Sequence, residues 1–348
     1  MSEIPRGAIR FNTDSNKPEL WDGSQWAEFQ LSTPNLGRSV DTEPGARGIL
    51  AGSYPAPATA SIEYINITSE GSATSFGTLA EGRSSFAAMG DRTRGVFAGG
   101  YLTPGTIRSS IESLTYASTG SSVDSGFDIQ YGGSTSTVKN LAGCSSSTRG
   151  LMAGGANSTS PNNAGSNDIN YVTIQSLGNS LDFGNLTQGR RFVKGVSSPT
   201  RGVFMAGYAA PSGSIFYNII DFVTISTTGD ASDFGDLTIS PFGGSTVWNA
   251  TRGLHLGGFT PGDVKNCSYI NIASAGNAVE FGELVTASHG GAGMSSPTRG
   301  VIGGMYQGGA STAMEQLNLS TLGDAVSFGN LNTARNYADG CSNAHGGL

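Results

Sequence analysis

Short stretches in which apolar and polar residues alternate recur along the chain. Examples are IEYINI from Ile62, INYVTI from Ile169 and IDFVTI from Ile220. A period of two is typical of a β-strand, because successive side chains point to opposite faces of a sheet. The stretches are rich in β-branched and aromatic residues, and no segment has the periodicity of a long amphipathic helix. The pattern therefore predicts an all-β fold built from many short strands.

The alternating stretches belong to a repeated unit. Each unit opens with Arg-Gly and apolar residues, usually followed by two glycines, and successive openings lie 47, 55, 52, 51 and 47 residues apart. An alternating stretch follows, then a segment such as DFGDL from Asp233, then a weaker apolar stretch. Four strand candidates in each of six clear units predict the four-stranded antiparallel blades of a β-propeller. The arginines that open the units are Arg47, Arg94, Arg149, Arg201, Arg252 and Arg299.

This unit resembles the kelch repeat, in which one strand ends in two glycines and later strands carry an acidic residue beside an aromatic one, a large aromatic, and often an arginine. The matching residues are Gly99 with Gly100, Glu63 with Tyr64, Phe76 in place of the usual tryptophan, and Arg83, Arg190 or Arg335. The resemblance covers about residues 36–348. It implies a kelch-like propeller, and the glycines suit strands that crowd around an axis.

The two ends of the chain predict how the ring closes. Residues 1–35 contain PRG from Pro5 and ELWDGSQWAEF, which parallel half a unit, and the C-terminal NYADGCSNAHGGL supplies the first strand of another. Joined in one split blade, with Tyr337–Cys341 paired to Ala8–Asn12 and Glu19–Trp21, they predict seven blades and remove an exposed sheet edge. The alternative is six blades and a separate N-terminal hairpin.

A second resemblance concerns biological context. The repeat, its Gly-Ser-Thr-Asn bias and the short N-terminal hairpin resemble virion structural and tail-fibre proteins of tailed phages, especially marine ones and cyanophages. This implies a non-enzymatic tail fibre, head fibre or decoration protein in the virion, with other virion proteins and a host surface glycan or protein as partners, and it is compatible with a homo-oligomer. The alternatives are a cellular kelch-type adaptor that binds a protein, and a carbohydrate-binding or carbohydrate-active propeller.

Composition narrows the possible partners. The formal net charge is −7 and the four lysines are scattered, which argues against nucleic acid. No apolar stretch is long enough to predict a membrane span, and MSEIPRG lacks the layout of a signal peptide. Cys144 and Cys341 occupy matching repeat contexts, AGCSS and DGCSN, so we expect them in different blades. We interpret these two and Cys267 as small buried residues without disulfides.

No catalytic constellation emerges from the sequence. The histidines His255, His289 and His345 fall in different repeat contexts, and His255 is expected to be packed inside a strand. The two-His, two-Tyr and Cys set of kelch-type copper oxidases, zinc-ligand spacings and phosphate-binding loops cannot be assembled. We therefore expect no cofactor, no metal and no enzymatic activity.

Two repeated features remain as candidate sites. The Arg-Gly arginines could form a cationic ring that captures an anion, but a residue present in every blade is better explained as structural, paired with an acid or with turn carbonyls. Aromatic residues open the loops after the double glycines, and loops on a rigid scaffold commonly carry binding. We therefore predict a binding face with aromatics of these loops, and the alternative is that each ring packs on the edge of its own blade. The residues are Tyr54, Tyr101, Tyr208, Phe216, Tyr217, Phe259 and Tyr306.

Overall fold

The computed structural model describes residues 5, 7–12, 17–21, 23–28, 47–54, 59–102, 105–131, 134–157, 165–209 and 215–343. The chain divides into two compact units, Met1–Thr42 and Glu43–Leu348. The predicted boundary between residues 35 and 36 lies outside the described residues. Within the described ranges there is no helix, and hence none long and apolar enough to cross a membrane.

The first unit is a small antiparallel sheet. Its strands, in their order across the sheet, are Ile9–Asn12, Lys17–Trp21 and Trp26–Glu28. Trp21 pairs with Trp26, and their ring centroids lie 5.4 Å apart. The guanidinium of Arg10 lies 4.3 Å from the centre of the Trp26 ring and forms an ion pair with Glu19. These pairings make the unit a sheet of its own.

The second unit is a β-propeller of six four-stranded antiparallel blades, numbered here by their Arg-Gly strands in chain order. The inner strands of blades 2 to 6 and then of blade 1 are Ala87–Gly90, Ala142–Ser145, Lys194–Ser197, Ser245–Trp248, Ala292–Ser295 and Asp339–Ser342. The second strands of blades 1 to 6 are Arg47–Ala51, Arg94–Ala98, Arg149–Ala153, Arg201–Met205, Arg252–Leu256 and Arg299–Gly303.

Two further strands complete each blade. The third strands of blades 1 to 6 are Ser61–Asn66, Ser110–Thr115, Asp168–Thr173, Ile219–Thr224, Asn266–Asn271 and Ser311–Asn318. The outer strands are Thr74–Thr78, Val123–Asp128, Leu181–Asn185, Ser232–Asp236, Val279–Glu283 and Val326–Arg335.

Short two-stranded sheets lie in the loops between these strands. They are Tyr101–Leu102 with Thr106–Ile107, Gln130–Tyr131 with Ser134–Thr135, Val138–Lys139 with Ala156–Asn157, Tyr208–Ala209 with Ile215–Phe216, and Phe259–Thr260 with Gly262–Asp263.

The ring closes differently from the prediction of seven blades, which is wrong. The C-terminal strand Asp339–Ser342 pairs with Arg47–Ala51 and becomes the inner strand of blade 1, so six units suffice. Residues 8–12 and 17–21 pair with each other instead of with Tyr337–Cys341. The physical reason is that blade 1, which begins at Arg47, already has its second, third and outer strands and lacks only an inner one, which Asp339–Ser342 supplies. The alternative of six blades is confirmed, and the N-terminal strands form a three-stranded sheet in place of the predicted hairpin.

The hydrophobic core is divided into six clusters, each between two adjacent blades. Between blades 1 and 2, for example, Phe76 and Leu79 of one blade pack with Phe97 and Leu114 of the next. The cysteines expected to be buried are free and fully enclosed, and Cys144 and Cys341 hold the same place in the inner strands of blades 3 and 1. Each blade is therefore apolar on both faces.

Crowding at the axis explains many of the glycines. A Cβ added to Gly143 would lie 2.2 Å from the carbonyl oxygen of Ala88 in the next inner strand, and one on Gly293 would lie 1.8 Å from that of Thr246. The glycine of each Arg-Gly pair similarly faces an inner-strand side chain of the preceding blade, as Gly150 faces Met89. A side chain at these places would push the blades apart.

The Phe-Gly segments of the outer strands are fastened to the next blade through backbone atoms. Gly229 N–H donates to Phe183 O at 2.7 Å, and a Cβ on Gly184 would lie 2.3 Å from the Gly229 oxygen. The same bond joins Gly276 to Phe234. Blade 2 departs from this pattern because SGFDI replaces Phe-Gly, and space around Gly126 is open. These contacts join adjacent blades at the rim of the ring, just as the glycines allow the inner strands to pack closely at its axis.

The arginines that the kelch resemblance singled out form buried ion pairs. Arg190 pairs with Asp221 at 2.8 Å, and both side chains are fully enclosed. Arg83 with Glu112, and Arg335 with Glu63, repeat the arrangement in blades 2 and 1. Burial lowers the pKa of Arg83 to about 10, so it stays charged at neutral pH. Breaking one partner of such a pair would leave a buried charge uncompensated.

The axial crowding can be tested with Gly293→Ala. Its Cβ would overlap the Thr246 backbone, so we expect a loss of at least about 2 kcal/mol in the free energy of unfolding, measured with guanidinium. The matched control is Gly309→Ala, because nothing lies within 4 Å of a Cβ there. A control change within about 0.5 kcal/mol is expected. Equal effects of the two substitutions would contradict the role assigned to the axis.

The packed His255 makes stability depend on pH. Burial, with a smaller effect of Lys194, lowers the pKa of His255 to about 3, whereas an unfolded chain has about 6.5. Between these values only the unfolded chain takes up the proton, so the contribution is complete above about pH 6.5 and is lost as the pH falls toward 3. We expect His255→Met, which matches Met152 of blade 3, to flatten the stability profile by up to about 1.4 kcal/mol per pH unit. Identical slopes in urea denaturation from pH 6 to 4 would refute this.

Candidate functional site

The loops after the double glycines all leave the same end of the ring. In each blade the residue seven positions after the arginine of the Arg-Gly pair forms a bridge with the residue three positions before an inner strand, which places both at that end. The pairs are Tyr54 with Asn336, Tyr101 with Ser84, Ala156 with Lys139, Tyr208 with Arg191, Phe259 with Phe242, and Tyr306 with His289. We call this end the loop face, and the opposite end, with the Arg-Gly turns, the turn face.

A ring of left-handed residues surrounds the axis at the loop face. Their φ angles lie between 47° and 66°, and the residues are Ser85, Asn140, Phe192, Gly243, Gly290 and Tyr337. Backbone bonds run from blade to blade: Asn140 N–H donates to Ser85 O at 2.7 Å, and Phe192 N–H donates to Asn140 O at 2.9 Å. The same link joins Ser85 to Tyr337, Gly243 to Phe192, and Gly290 to Gly243. We call this ring the axial belt.

Phe192 and Tyr337 are the costly members of the belt. A bulky residue in the left-handed region costs about 1–2 kcal/mol, and blades 5 and 6 avoid that cost with glycine at the same place. Such strain persists where the surroundings enforce it, and it clusters at ligand sites. The left-handed backbone places the rings of Phe192 and Tyr337 at the axis, with their centroids 5.7 Å apart. The mouth of the axis is therefore the candidate site.

The two rings belong to a continuous aromatic cluster across the loop face. Phe242 is its centre: its centroid lies 4.8 Å from that of Tyr208, 5.3 Å from that of Phe259 and 5.5 Å from that of Phe216. Phe192 continues the cluster toward Tyr337, and Tyr337 toward Tyr54. The rings pack on one another across blades while remaining partly exposed, and Tyr54 is the most open at 39%.

A concave pocket of about 300 Å³ opens at the loop face beside the belt. Four tyrosines form much of its wall, and they are Tyr54, Tyr101, Tyr208 and Tyr337. The volume is at the lower end of the range for small-molecule sites. We call this cavity the mouth pocket. Its aromatic and hydroxyl lining suits a small ligand that has both apolar and hydrogen-bonding surfaces.

Two cations line the mouth pocket. The Lys139 ammonium lies 4.7 Å from the centre of the Tyr101 ring, and the Arg191 guanidinium lies 4.4 Å from that of Tyr208. Among the described residues neither has a carboxylate within 4 Å. Burial, together with the positive charge of Arg191, lowers the pKa of Lys139. The pocket thus concentrates positive charge on a chain of net charge −7.

A hydrogen-bonded chain stands behind one wall of the pocket. His289 Nδ1 lies 2.6 Å from Asp263 Oδ1, and His289 Nε2 lies 2.8 Å from the Tyr337 hydroxyl. In the tautomer in which Nδ1–H donates to Asp263, the Nε2 atom of His289 accepts a hydrogen bond from the Tyr337 hydroxyl and holds that phenol in place. Burial raises the pKa of Tyr337 to about 12, so its hydroxyl stays neutral at physiological pH. The chain orients a tyrosine that also belongs to the belt.

The axis below the belt is nearly filled. The cavities there measure about 20 Å³ and about 10 Å³, enough for little more than a water molecule. Lys194 and Asp339 both line them, and Lys194 Nζ donates to Gly291 O at 3.2 Å. Among the described residues, these two cavities are too small to admit a sugar.

The Arg-Gly arginines lie at the turn face and contact the neighbouring blade. Arg94 donates to Ile174 O at 3.0 Å, and Arg201 donates to Ile272 O at 3.1 Å. In four blades the guanidinium also stacks on a ring of its own blade, 4.6–5.0 Å from the centroid; these arginines are Arg47, Arg149, Arg201 and Arg252. The remaining member, Arg299, donates to Ile67 O. Their donors are engaged by backbone carbonyls of the neighbouring blade.

The structure brings most of the predicted aromatics together. Tyr54, Tyr101, Tyr208, Phe216, Phe259 and Tyr306 all make ring contacts at the loop face. Tyr217 follows Phe216 and donates its backbone N–H to Gly207. The sequence analysis missed the residues that precede the inner strands, which are Ser84, Lys139, Arg191, Phe192, Phe242, His289 and Tyr337. The sequence does contain a signal for these residues, because the residue type at these repeat positions differs from blade to blade, whereas the strand residues stay similar.

Comparisons with protein-family models and with curated proteins find no match for this chain. Among the described residues, no three His, Cys, Asp or Glu side chains are grouped so that they could hold a metal ion.

The belt can be tested with Gly243→Ala. Space around a Cβ is open there, the nearest atom being a Phe192 ring carbon at 3.8 Å, so only the φ of 66° opposes the substitution. We expect a loss of about 1 kcal/mol in the free energy of unfolding, because alanine is strained at positive φ. Gly309→Ala, without positive φ or nearby atoms, is again the control. A neutral result at Gly243 would show that the belt is not held left-handed.

Proposed function

We propose that this chain is a non-enzymatic recognition propeller of a tailed-phage virion, a fibre or decoration protein that attaches through its loop face. The observation that carries the proposal is the mouth pocket, where partly exposed tyrosines flank two cations that have no carboxylate partner in the part of the chain that the structure describes. Aromatic side chains in a concave surface are common anchors of binding interfaces. The kelch-like pattern of the repeat supports the same kind of role, a rigid disc that presents loops.

The chemistry at the pocket supports binding in preference to catalysis. The Asp263–His289–Tyr337 chain ends on a phenol whose pKa is raised, so the hydroxyl serves as a fixed hydrogen-bonding group and not as a nucleophile. His289 itself is only 7% exposed and stands behind Tyr337. A carbohydrate-active propeller is the second candidate, favoured only by this hydrogen-bonded chain. A cellular adaptor is the third, favoured by the kelch resemblance.

The virion role is tested by immunogold electron microscopy of purified phage particles with antibodies against this chain. We expect gold at a fixed position on the particle. Label confined to the soluble fraction of the lysate would overturn the virion role and favour the adaptor.

Attachment through the loop face is tested with Tyr54→Ala. We expect the purified Tyr54→Ala protein to bind at least tenfold more weakly than wild type to host cells of the phage, or to phage particles that lack this protein. The reason is that Tyr54 is an exposed member of the mouth pocket. The matched control is Val279→Ala, an exposed apolar residue on an outer strand. Equal binding by both variants would exclude the loop face as the attachment surface.

A further inference from the structure

We propose that the mouth pocket binds a saccharide that carries a carboxylate, such as a uronic or sialic acid residue of a surface polysaccharide. The inference rests on the proposed role of the loop face and names the ligand class of that surface. It depends on three properties of the pocket: its two cations, its neutral hydrogen-bonding groups, and the engagement of the Ser85, Asn140 and Phe192 amides in the axial belt.

The cations of the pocket lack an anion. Every other arginine described above donates to a carbonyl or pairs with a carboxylate. Among the described residues, Arg191 and Lys139 contact the tyrosine rings and have no carboxylate within 4 Å. The Nε of Arg191 is buried without a hydrogen-bond partner among the described residues, and so is the hydroxyl of Ser84, which lines the same pocket. Two neighbouring cations and two orphaned polar atoms cost stability, and a bound anion with hydroxyl groups would relieve that cost.

The other lining groups suit a sugar ring. The hydroxyls of Tyr54, Tyr101 and Tyr208 and the amide of Asn140 are neutral donors and acceptors, which match sugar hydroxyls. The tyrosine faces offer apolar surface against which the C–H face of a pyranose can pack. The volume of about 300 Å³ accommodates one or two sugar residues.

A phosphate group fits the pocket less well than a carboxylate. Phosphate sites are commonly built from free backbone N–H groups in a concave turn. The amides that face the axis here, those of Ser85, Asn140 and Phe192, are already engaged in the bonds of the axial belt. The pocket therefore offers a single pair of cations and neutral groups, which matches a monovalent carboxylate.

The test is isothermal titration calorimetry of the full chain at low salt. The probes are glucuronate, galacturonate, N-acetylneuraminate and oligogalacturonate, with glucose, neutral maltooligosaccharides, glucose 6-phosphate and an oligoglutamate peptide as comparators. We expect at least one carboxylated sugar to bind with a Kd of about 1 mM or tighter, and at least tenfold more tightly than the neutral sugars and glucose 6-phosphate. Binding of oligogalacturonate alone would show that the pocket requires a polysaccharide segment. Binding of a carboxylated monosaccharide as well would show that one sugar residue is enough for recognition.

Charge variants separate a specific site from general attraction. Arg191→Gln and Lys139→Gln should each weaken binding of the carboxylated sugar at least tenfold, while their melting temperatures stay unchanged or rise, because an unpaired cation has been removed. The matched control is Arg92→Gln, an exposed arginine in the turn between the first two strands of blade 2, which should change the Kd less than twofold. Equal loss in all three variants would overturn the assigned site.

Other outcomes also overturn the proposal. They are the absence of binding by every carboxylated sugar, preference for glucose 6-phosphate, or preference for the oligoglutamate peptide, which would point to a protein partner. The proposed function fails separately. If Tyr54→Ala loses attachment while no carboxylated sugar binds, the loop face remains the attachment surface and only the ligand class is wrong.

Discussion

The close approach of six inner strands around one axis is the constraint on which this structure depends. Carbonyl oxygens of one strand lie where the Cβ of the next would be, so Gly143, Gly195 and Gly293 cannot carry side chains. At the loop face the same closeness lets backbone groups bond from blade to blade, provided that the residues adopt positive φ. The axis is thus held by peptide groups, and most side chains are left for the spaces between blades.

Because peptide groups hold the axis and side chains fill the spaces between blades, the scaffold determines where charged side chains can lie. Most described arginines support the scaffold: those of the Arg-Gly pairs donate to carbonyls of the next blade, and Arg83, Arg190 and Arg335 pair with buried acids. Lys139 and Arg191 occupy the same repeat position, next to the belt, where the side chain differs from blade to blade and only the backbone pairs. The positive charge of the mouth pocket is therefore available for a ligand, and this separates the proposed site from the structural arginines.

The aromatic cluster shows why exposure alone is a poor guide to this surface. The rings predicted to form a binding face pack on one another, with Phe242 in contact with Tyr208, Phe216 and Phe259. The packing makes the pocket wall rigid, and a rigid wall loses little entropy when a ligand binds. The His289 imidazole adds to this by holding the Tyr337 hydroxyl in one position.

The sequence by itself determined the blade, because alternation, Arg-Gly and Phe-Gly are local signals repeated in every unit, and it placed Tyr54, Tyr101, Tyr208 and Phe259 at one end of the ring. It did not determine the number of blades, since either chain end could complete a four-stranded sheet and only pairing decided that Asp339–Ser342 joins Arg47–Ala51. The pocket, too, was decided by tertiary structure alone. Lys139, Arg191 and Tyr337 come from three different blades, and only closure of the ring brings their side chains around one cavity.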